Sequence, residues 1–297
     1  MKFYHERAFT GHSAAVYSLS FDQLFIYSAS ADRFVTRWNI STGEQDKFAL
    51  KFDASVYAIK VINQGAQLLA GLSSGLLYIV DLANRTVAKE YNLQAGIFCF
   101  AENIPKNHFY VGDENGIVTV FDTSTLEKVL AIPLNCGKIR RMSVDTSGAR
   151  VAIAGQDGRI RIMETSFYNE INNFYAHKEG VTSILFDLID STILYSGGKD
   201  AILRKWNVND EVLVSEVMAH NYVIYELLQF NENTLVSASR DKTIKVFSIP
   251  DLKFQQRLDL KNKGHRHSVN SLVAIDDRSF ASASDDKKII IWTNYSQ

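Results

Sequence analysis

Short runs of alternating apolar and polar residues recur along the chain, separated by brief polar turns. In the first segment these runs are AVYSLSFD, LFIYSAS and FVTRWNI, and a fourth run, QDKFALKF, leads into the next segment. A period of two predicts β-strands, because successive side chains of a strand point to opposite faces of the sheet. No stretch long enough to form a helix shows helical periodicity of its apolar residues, and the three prolines interrupt none of the aligned runs. The pattern therefore predicts an all-β protein.

This four-run segment repeats seven times with a period of about 42 residues. Each repeat ends at an aromatic or bulky apolar position, and these positions are Trp38, Val80, Phe121, Met163, Trp206, Phe247 and Trp292. A fixed period of this length indicates supersecondary units that bury their faces against their neighbours. Seven copies account for the 297 residues. We therefore expect one domain, residues 1–297, folded as a seven-bladed β-propeller of four-stranded antiparallel blades.

The two ends of the chain complement each other. Only Thr293 to Gln297 follow Trp292, so the seventh repeat lacks its fourth strand, whereas Lys2 to Phe9 precede the first repeat and have strand-like composition. We expect the N-terminal segment to supply the outer strand of the last blade and so to close the ring. Closure would also hide a strand edge that otherwise templates aggregation.

Composition argues against several functional classes. Lys and Arg total 32 against 33 Asp and Glu, which provides no general attraction to nucleic acid or to an anionic membrane. Cys99 and Cys136 are too few for a disulfide framework or a four-ligand zinc site. No signal-peptide-like or membrane-spanning apolar run occurs. We expect a soluble, cytoplasmic protein that is not inserted in a membrane, holds no cofactor or metal, and is a monomer outside a complex.

These repeats resemble the WD-repeat (Trp-Asp repeat) β-propeller family over essentially the whole chain. Gly11-His12 and Gly264-His265 match the family's Gly-His pair, whereas Ala176-His177 and Ala219-His220 keep only the histidine. The turn position six residues before each closing residue reads Asp32, Ser74, Asn115, Asp157, Asp200, Asp241 and Asp286. The Asp that follows the closing residue survives only as Asp81 and Asp122. That last position is commonly degenerate in the family, so the resemblance stands.

The resemblance implies a hydrogen-bonded tetrad of His, Ser, Asp and Trp inside a blade. The complete sets are His12, Ser28, Asp32 and Trp38; His177, Ser196, Asp200 and Trp206; and His265, Ser282, Asp286 and Trp292. The sixth repeat has His220, Ser237 and Asp241 but ends in Phe247, which has no indole donor. Repeats two to four lack the set. We expect their stability to rest on packing alone and their amide hydrogens to exchange sooner.

Catalytic motifs have simpler explanations in this chain. Several copies of a His–Ser–Asp set in equivalent places indicate a packing device rather than several hydrolase sites. Gly71-Leu72-Ser73-Ser74-Gly75 matches the G-x-S-x-G nucleophile pattern, but it falls on a hairpin, and that motif requires a turn from strand to helix. The sequence contains no P-loop, no H-E-x-x-H and no Cys/His cluster with metal spacing. We therefore do not expect an enzyme.

The resemblance also implies a partner site at the mouth of the central channel. The residues after the first apolar position of each inner strand are Tyr17, Tyr57, Phe98, Arg140, Thr182, Tyr225 and Asn270. Four rings and an arginine suit a peptide, although rings at these positions would equally fill space between blades. One position on, Arg141 and Glu226 interrupt a series of small residues, and we take them with Arg140 as polar anchors for a ligand. Lys199 and Arg240, which precede the turn Asp, also belong to the partner-facing set.

The sequence thus predicts a non-enzymatic interaction scaffold that binds a protein or peptide at the channel mouth. One alternative is a propeller-based enzyme or small-ligand binder that uses the channel, and in that case Arg141 and Glu226 are the titratable residues placed to act. A second alternative is a subunit of a nucleic-acid or chromatin-associated complex, whose binding would weaken steeply with salt. The balanced charge argues against nucleic acid as a partner.

Overall fold

The computed structural model describes residues 1–295 and shows a seven-bladed β-propeller. Its 28 strands form seven four-stranded antiparallel sheets, and the inner strands of successive sheets contact each other around a closed ring. Three short 3-10 turns, Asn63–Gly65, Ile104–Lys106 and Leu260–Asn262, are the only helical segments in the described part of the chain. The all-β, seven-bladed fold predicted from the sequence is confirmed.

Consecutive strands form blades 1 to 6, each ordered from the channel outward. Blades 1 and 2 consist of β2 (Val16–Phe21), β3 (Phe25–Ser30), β4 (Phe34–Asn39), β5 (Gln45–Lys51), β6 (Val56–Ile62), β7 (Gln67–Leu72), β8 (Leu76–Asp81) and β9 (Thr86–Asn92). Blades 3 and 4 consist of β10 (Ile97–Asn103), β11 (His108–Asp113), β12 (Ile117–Asp122), β13 (Lys128–Pro133), β14 (Ile139–Val144), β15 (Arg150–Gly155), β16 (Arg159–Glu164) and β17 (Glu170–Tyr175).

The remaining strands complete the ring. Blades 5 and 6 consist of β18 (Val181–Phe186), β19 (Ile193–Gly198), β20 (Ile202–Asn207), β21 (Val212–Met218), β22 (Ile224–Asn231), β23 (Thr234–Ser239), β24 (Ile244–Ser248) and β25 (Phe254–Leu258). Blade 7 consists of β26 (Val269–Ala274), β27 (Ser279–Ser284), β28 (Lys288–Thr293) and, from the other end of the chain, β1 (Tyr4–Thr10).

The N-terminal strand closes the ring, as the sequence predicts. β1 pairs antiparallel with β28, from Tyr4 opposite Thr293 to Thr10 opposite Lys288. Phe3, just before the strand, is 1% exposed and packs edge-on against Phe230 and Phe280, with both ring-centre distances at 4.9 Å. Because Phe230 belongs to blade 6, this one side chain also fixes the last blade to its neighbour.

The core lies between the blades. Middle strands such as β11, β15, β19 and β23 are buried along almost their whole length, because neighbouring sheets cover both of their faces. In blade 3, Phe109 and Phe121 stack at 4.9 Å within an apolar cluster that extends into blade 2. The outer strands are mostly exposed, and apolar side chains such as Val129 and Val214 face solvent there.

Candidate partner-binding face

The residues predicted to lie at the channel mouth occupy β-bulges. The register of β2 and β3 shifts between Val16 and Ser18, which leaves Tyr17 as an extra residue, and the same shift recurs in the innermost strand pair of all seven blades. A bulge bends the strand and re-aims the extra side chain. The extra residues are Tyr17, Tyr57, Phe98, Arg140, Thr182, Tyr225 and Asn270, and all seven line the central channel.

The channel is a cavity of about 1090 Å³ bounded by residues of every blade. On blades 1 to 3 its mouth carries three half-buried rings in contact, Tyr17, Tyr57 and Phe98, which we call the aromatic wall. The Tyr17 and Tyr57 rings meet edge to face at 5.6 Å, and Tyr57 stacks on Phe98 at 5.1 Å. Burial raises the pKa of Tyr17, so its hydroxyl stays protonated. The rings therefore form one continuous surface at the mouth.

Cations adjoin this wall on blade 4. The Arg140 guanidinium lies 4.5 Å from the centre of the Phe98 ring, and Lys138 Nζ lies 5.2 Å from it. Lys138 forms an ion pair with Glu114. Arg140 is exposed and has no hydrogen bond or ion pair within residues 1–295. The arginine therefore stands against an aromatic face with its donors open to solvent.

Blades 5 to 7 complete the mouth. Lys199 and Arg240 are exposed and line the channel, and the Arg240 guanidinium lies 6.0 Å from the ring centre of Tyr222, a residue that our sequence analysis does not single out. Tyr225 is half-buried, and burial raises the pKa of its hydroxyl. On blade 7 the Asp285 carboxylate accepts a hydrogen bond from the Asn270 amide at 2.8 Å.

Arg141 and Glu226 contact each other inside the channel. Arg141 Nη2 and Glu226 Oε1 form an ion pair that connects blade 4 to blade 6 and passes over blade 5. The Glu226 side chain is 6% exposed and that of Arg141 30%. Burial lowers the pKa of Arg141 to about 10, which still leaves the guanidinium charged at neutral pH. Each residue is thus the other's partner in the structure, whereas the sequence-based hypothesis treats both as anchors for a ligand.

The small residues of the same series have a separate role between blades. The Ser18 hydroxyl accepts the backbone N–H of Ile59 at 3.1 Å, and the Ser183 hydroxyl accepts that of Leu227 at 2.9 Å. Ser271 likewise accepts the N–H of Leu19 at 3.2 Å and so bridges blade 7 to blade 1. Each serine satisfies a backbone donor of the next inner strand that its own sheet leaves unpaired.

Lys60 is a channel residue that the sequence analysis missed. It lines the cavity, burial lowers its pKa, and it has no hydrogen bond or ion pair in the described part of the chain. A signal was available, because side chains two residues apart share a face. One residue of each inner strand lies two positions after the series that contains Ser18, Arg141 and Glu226. These residues are Ser20, Lys60, Ala101, Ser143, Leu185, Leu228 and Val273, and all seven line the channel.

The structure brings each implied tetrad together away from the channel. In blade 1, His12 Nδ1 lies 2.8 Å from Asp32, His12 Nε2 lies 2.8 Å from Ser28 Oγ, and the Trp38 indole N–H donates to Ser28 Oγ at 2.8 Å. Equivalent contacts join His177, Ser196, Asp200 and Trp206 in blade 5, and His265, Ser282, Asp286 and Trp292 in blade 7. All four polar groups are occupied within the blade, which leaves no free nucleophile.

Electrostatics keep these acids ionised. Burial by itself would raise the pKa of Asp286, but the hydrogen bond and charge of His265 outweigh it and lower that pKa to about 2. The pKa of Asp200 is likewise lowered, through His177 and Arg204. Burial lowers the pKa of His177 and of His220, so both imidazoles are neutral at pH 7.

Residues 1–295 contain neither a metal-binding cluster nor a membrane-spanning helix. No group of three or more His, Cys, Asp or Glu side chains is arranged to hold a metal ion. No helix in this part of the chain has the length and apolar character needed to cross a membrane. Both cysteines are buried as free thiols, and burial raises the pKa of Cys99 to about 12.

Comparison with known proteins identifies the repeat. The sequence model of the family described as WD domain, G-beta repeat, matches residues 3–39, 168–207, 212–248 and 256–293, together about half of the chain. Each matched segment contains an outer strand followed by the next three strands around the ring, and the four segments hold the three tetrads and the incomplete set of blade 6.

Relatives that match almost the whole of this chain extend the similarity around the ring. An uncharacterized WD repeat-containing protein of Schizosaccharomyces pombe is 22% identical over 298 residues, which cover 96% of this chain and 69% of that protein. The 66 kDa stress protein of Physarum polycephalum is 26% identical over 294 residues, and the human kinesin-like protein KIF21B is 20% identical over 319. The matches cover 96–97% of this chain but only 47% and 19% of those two proteins.

Proposed function

This chain belongs to the WD-repeat family, and from that premise we propose that it is a non-enzymatic scaffold that binds a protein or peptide at the channel mouth. WD-repeat propellers generally act as protein-interaction scaffolds. The observation that carries the proposal is the aromatic wall. Its three rings are held in contact by consecutive bulges and stay partly exposed at the opening of the channel.

Aromatic rings held in this way suit binding energetically. Tyr and Phe side chains offer a large contact area with only two rotatable bonds, so little conformational entropy is lost when a partner covers them. The rings already restrict each other by stacking, which lowers that loss further. Arg140 and Arg240 add donors at the edge of the same surface, where they would orient a partner rather than supply most of the affinity.

The channel alternative has less support. A catalytic site needs titratable groups that are free to meet a substrate, and the two that the sequence indicated, Arg141 and Glu226, neutralise each other. Lys60 remains in the channel without an ion pair, its pKa lowered by burial against the opposing charge of Glu102, so a small anion is the ligand that would test this alternative.

A nucleic-acid partner has less support still. The basic residues of the mouth line the same channel as Glu179, Asp285 and the aromatic wall, and the whole chain has a formal charge of −1. We also propose that the protein is cytoplasmic, that it consists of a single propeller domain, and that it is a monomer outside its complex. Two buried, reduced cysteines are consistent with a reducing compartment.

The test is affinity capture from native lysate with the wild-type protein and two double variants. Tyr17→Ala with Phe98→Ala removes both ends of the aromatic wall. Phe167→Ala with Tyr175→Ala removes two rings, 83% and 54% exposed, that do not line the channel, and it serves as the matched control. We expect the wall variant to lose a partner that the control keeps. The Kd for the isolated partner should rise by roughly 30-fold or more.

Equal melting temperatures for the three proteins are required before comparison. A partner that survives in the wall variant would place the interface elsewhere and overturn the proposal. If no partner is captured and a small anion binds in the channel, the small-ligand alternative replaces it.

A further inference from the structure

A second, smaller cavity lies at the rim of the mouth, where blades 4 and 5 meet. It has a volume of about 60 Å³ and is lined by Lys138, Arg140, Gln156, Gly180, Val181, Thr182 and Lys199. Three of these seven residues are cations and none is an anion. We call this cavity, with Lys138, Arg140 and Lys199, the basic niche.

The backbone of two neighbouring loops shapes the basic niche. Gly180 has a φ of 122°, and a Cβ on it would lie 3.0 Å from the backbone oxygen of Gln156, so only glycine lets the two loops approach this closely. The Gln156 side chain accepts the backbone N–H of Lys138 at 3.1 Å, and the Gly180 carbonyl accepts that of Lys199 at 3.2 Å. The backbones of the two lysines are therefore held by one turn and one loop.

Charge is unbalanced at this place. Nearby acids are already engaged within their own blades: Asp157 pairs with Arg161 at 2.6 Å, and Asp200 pairs with Arg204 at 2.7 Å. Glu114 contacts Lys138 from the side of blade 3. Glu179, the remaining acid close by, lines the main channel and not the niche. Within residues 1–295, the side chains of Arg140 and Lys199 have no anionic partner.

We propose that the basic niche binds one oxyanion, a phosphate or a carboxylate, carried by a side chain of the peptide that occupies the mouth. The inference rests on the proposed function and adds the chemistry of the partner. A planar guanidinium makes paired hydrogen bonds with two oxygens of such a group, while ammonium groups serve as point charges on either side. A cavity of about 60 Å³ accommodates a single group of this size.

The adjoining aromatic wall defines the rest of the motif. Arg140 lies against Phe98, so an anion bound to its outer edge is next to the last ring of the wall. The partner segment therefore carries an anionic residue beside apolar or aromatic residues. The anion sets the register of the segment, and the apolar residues cover the rings.

The first experiment uses inorganic phosphate as the probe. The amide resonances of Gly180, Val181 and Lys199 are followed during a phosphate titration, with sodium chloride holding the ionic strength constant. We expect saturable shifts in the wild type and at least tenfold weaker binding in Arg140→Ser with Lys199→Ser. Arg278→Ser with Lys128→Ser is the matched control, because it removes one arginine and one lysine at exposed positions away from the niche.

Shifts that do not saturate, or that weaken equally in the control, would overturn the proposal. Both variants change exposed side chains, and a melting curve for each verifies the fold.

The second experiment distinguishes the source of the oxyanion and separates this inference from the proposed function. Capture is repeated with the niche variant and with lysate treated with phosphatase. A partner lost by the niche variant and by phosphatase treatment carries a phosphoryl group, whereas one lost only by the niche variant carries a carboxylate. A partner that the aromatic-wall variant loses and the niche variant keeps would leave the scaffold standing and refute the niche.

Discussion

Blades 1, 5 and 7 differ from blades 2, 3 and 4 in how they fill the same buried position. Ser28 on β3 pairs with Leu19 and Thr36 on the strands beside it, and Ile153 on β15 pairs in the same register with Met142 and Arg161. The other residues at this register position are Ser196 and Ser282 in the first group and Ala70 and Val111 in the second. One group places a hydrogen-bonded hydroxyl at the centre of the blade and the other an apolar side chain.

The two solutions have different weaknesses. A buried hydroxyl requires every partner to be present, because a buried donor left unsatisfied costs more than the intact hydrogen bond contributes. An apolar side chain requires only that its volume be filled, and it is indifferent to pH. Blade 4 shows the second solution in full: Val151, Ile153 and Met163 are at most 2% exposed, and its turn residue Asp157 pairs with Arg161 instead of with a histidine.

The largest effect is expected from placing a polar side chain at the central position of blade 2, 3 or 4. Ile153 is fully buried, so Ile153→Ala should lower the free energy of unfolding by about 2–5 kcal/mol through the cavity it leaves. Ile153→Ser should cost about 1–3 kcal/mol more, because blade 4 has no histidine or indole to pair with the hydroxyl. Urea denaturation of both variants, fitted with one common dependence of the unfolding free energy on urea concentration, measures the difference. Equal midpoints for Ala and Ser would show that the blade tolerates either chemistry.

An intermediate effect is expected from removing the hydroxyl where its partners exist. Ser282→Ala leaves the Trp292 indole and His265 without their shared partner and should destabilise the protein by about 1–3 kcal/mol. The control is Ser215→Ala in the outer strand of blade 5, because Ser215 Oγ is buried without a hydrogen-bond partner. We expect the control to be neutral or slightly stabilising in the same urea titration. Similar losses at both sites would mean that the tetrad contributes nothing beyond packing.

The smallest effect is a difference in local opening between the two groups of blades. At pH 7 we expect the amides of blades 2 to 4 to exchange a few times faster, because the tetrads add hydrogen bonds to the other blades. The folded pKa values of His177 and His220 are lowered from 6.5, so their contribution is complete above pH 6.5 and declines as the pH falls below it. At pH 5 the difference should therefore narrow.

Hydrogen exchange followed by mass spectrometry, corrected for intrinsic rates, measures both quantities. His108 in blade 3 is the one histidine of blades 2 to 4, and its burial lowers its pKa too, so peptides from blades 2 and 4 are the cleaner comparison. Uniform protection around the ring at pH 7 would contradict the expected difference.

The sequence predicted most of what depends on local repetition. The closing residues, the strand runs of the first repeat and the closure by the N-terminal segment lie where expected, with β1 running from Tyr4 to Thr10 instead of Lys2 to Phe9. The members of each tetrad lie within one repeat, so their spacing could be compared from copy to copy. The resemblance to the family also implied which residues lie along the channel, and in the structure the bulge that turns them there recurs at the same place in every blade.

By itself, then, the sequence determined the period, the strands, the number of blades and the tetrad within a blade, because all of these depend on residues close together in the chain. Only the tertiary structure decided that Arg141 pairs with Glu226, that three rings stack into one wall, and that Arg140 and Lys199 enclose a small cavity. These contacts join different blades, and the geometry of a closed ring sets which side chains meet there. No pattern along the chain gives the distance between side chains on different blades. The sequence therefore does not reveal whether a cation will lie next to an acid, an aromatic ring or an open cavity.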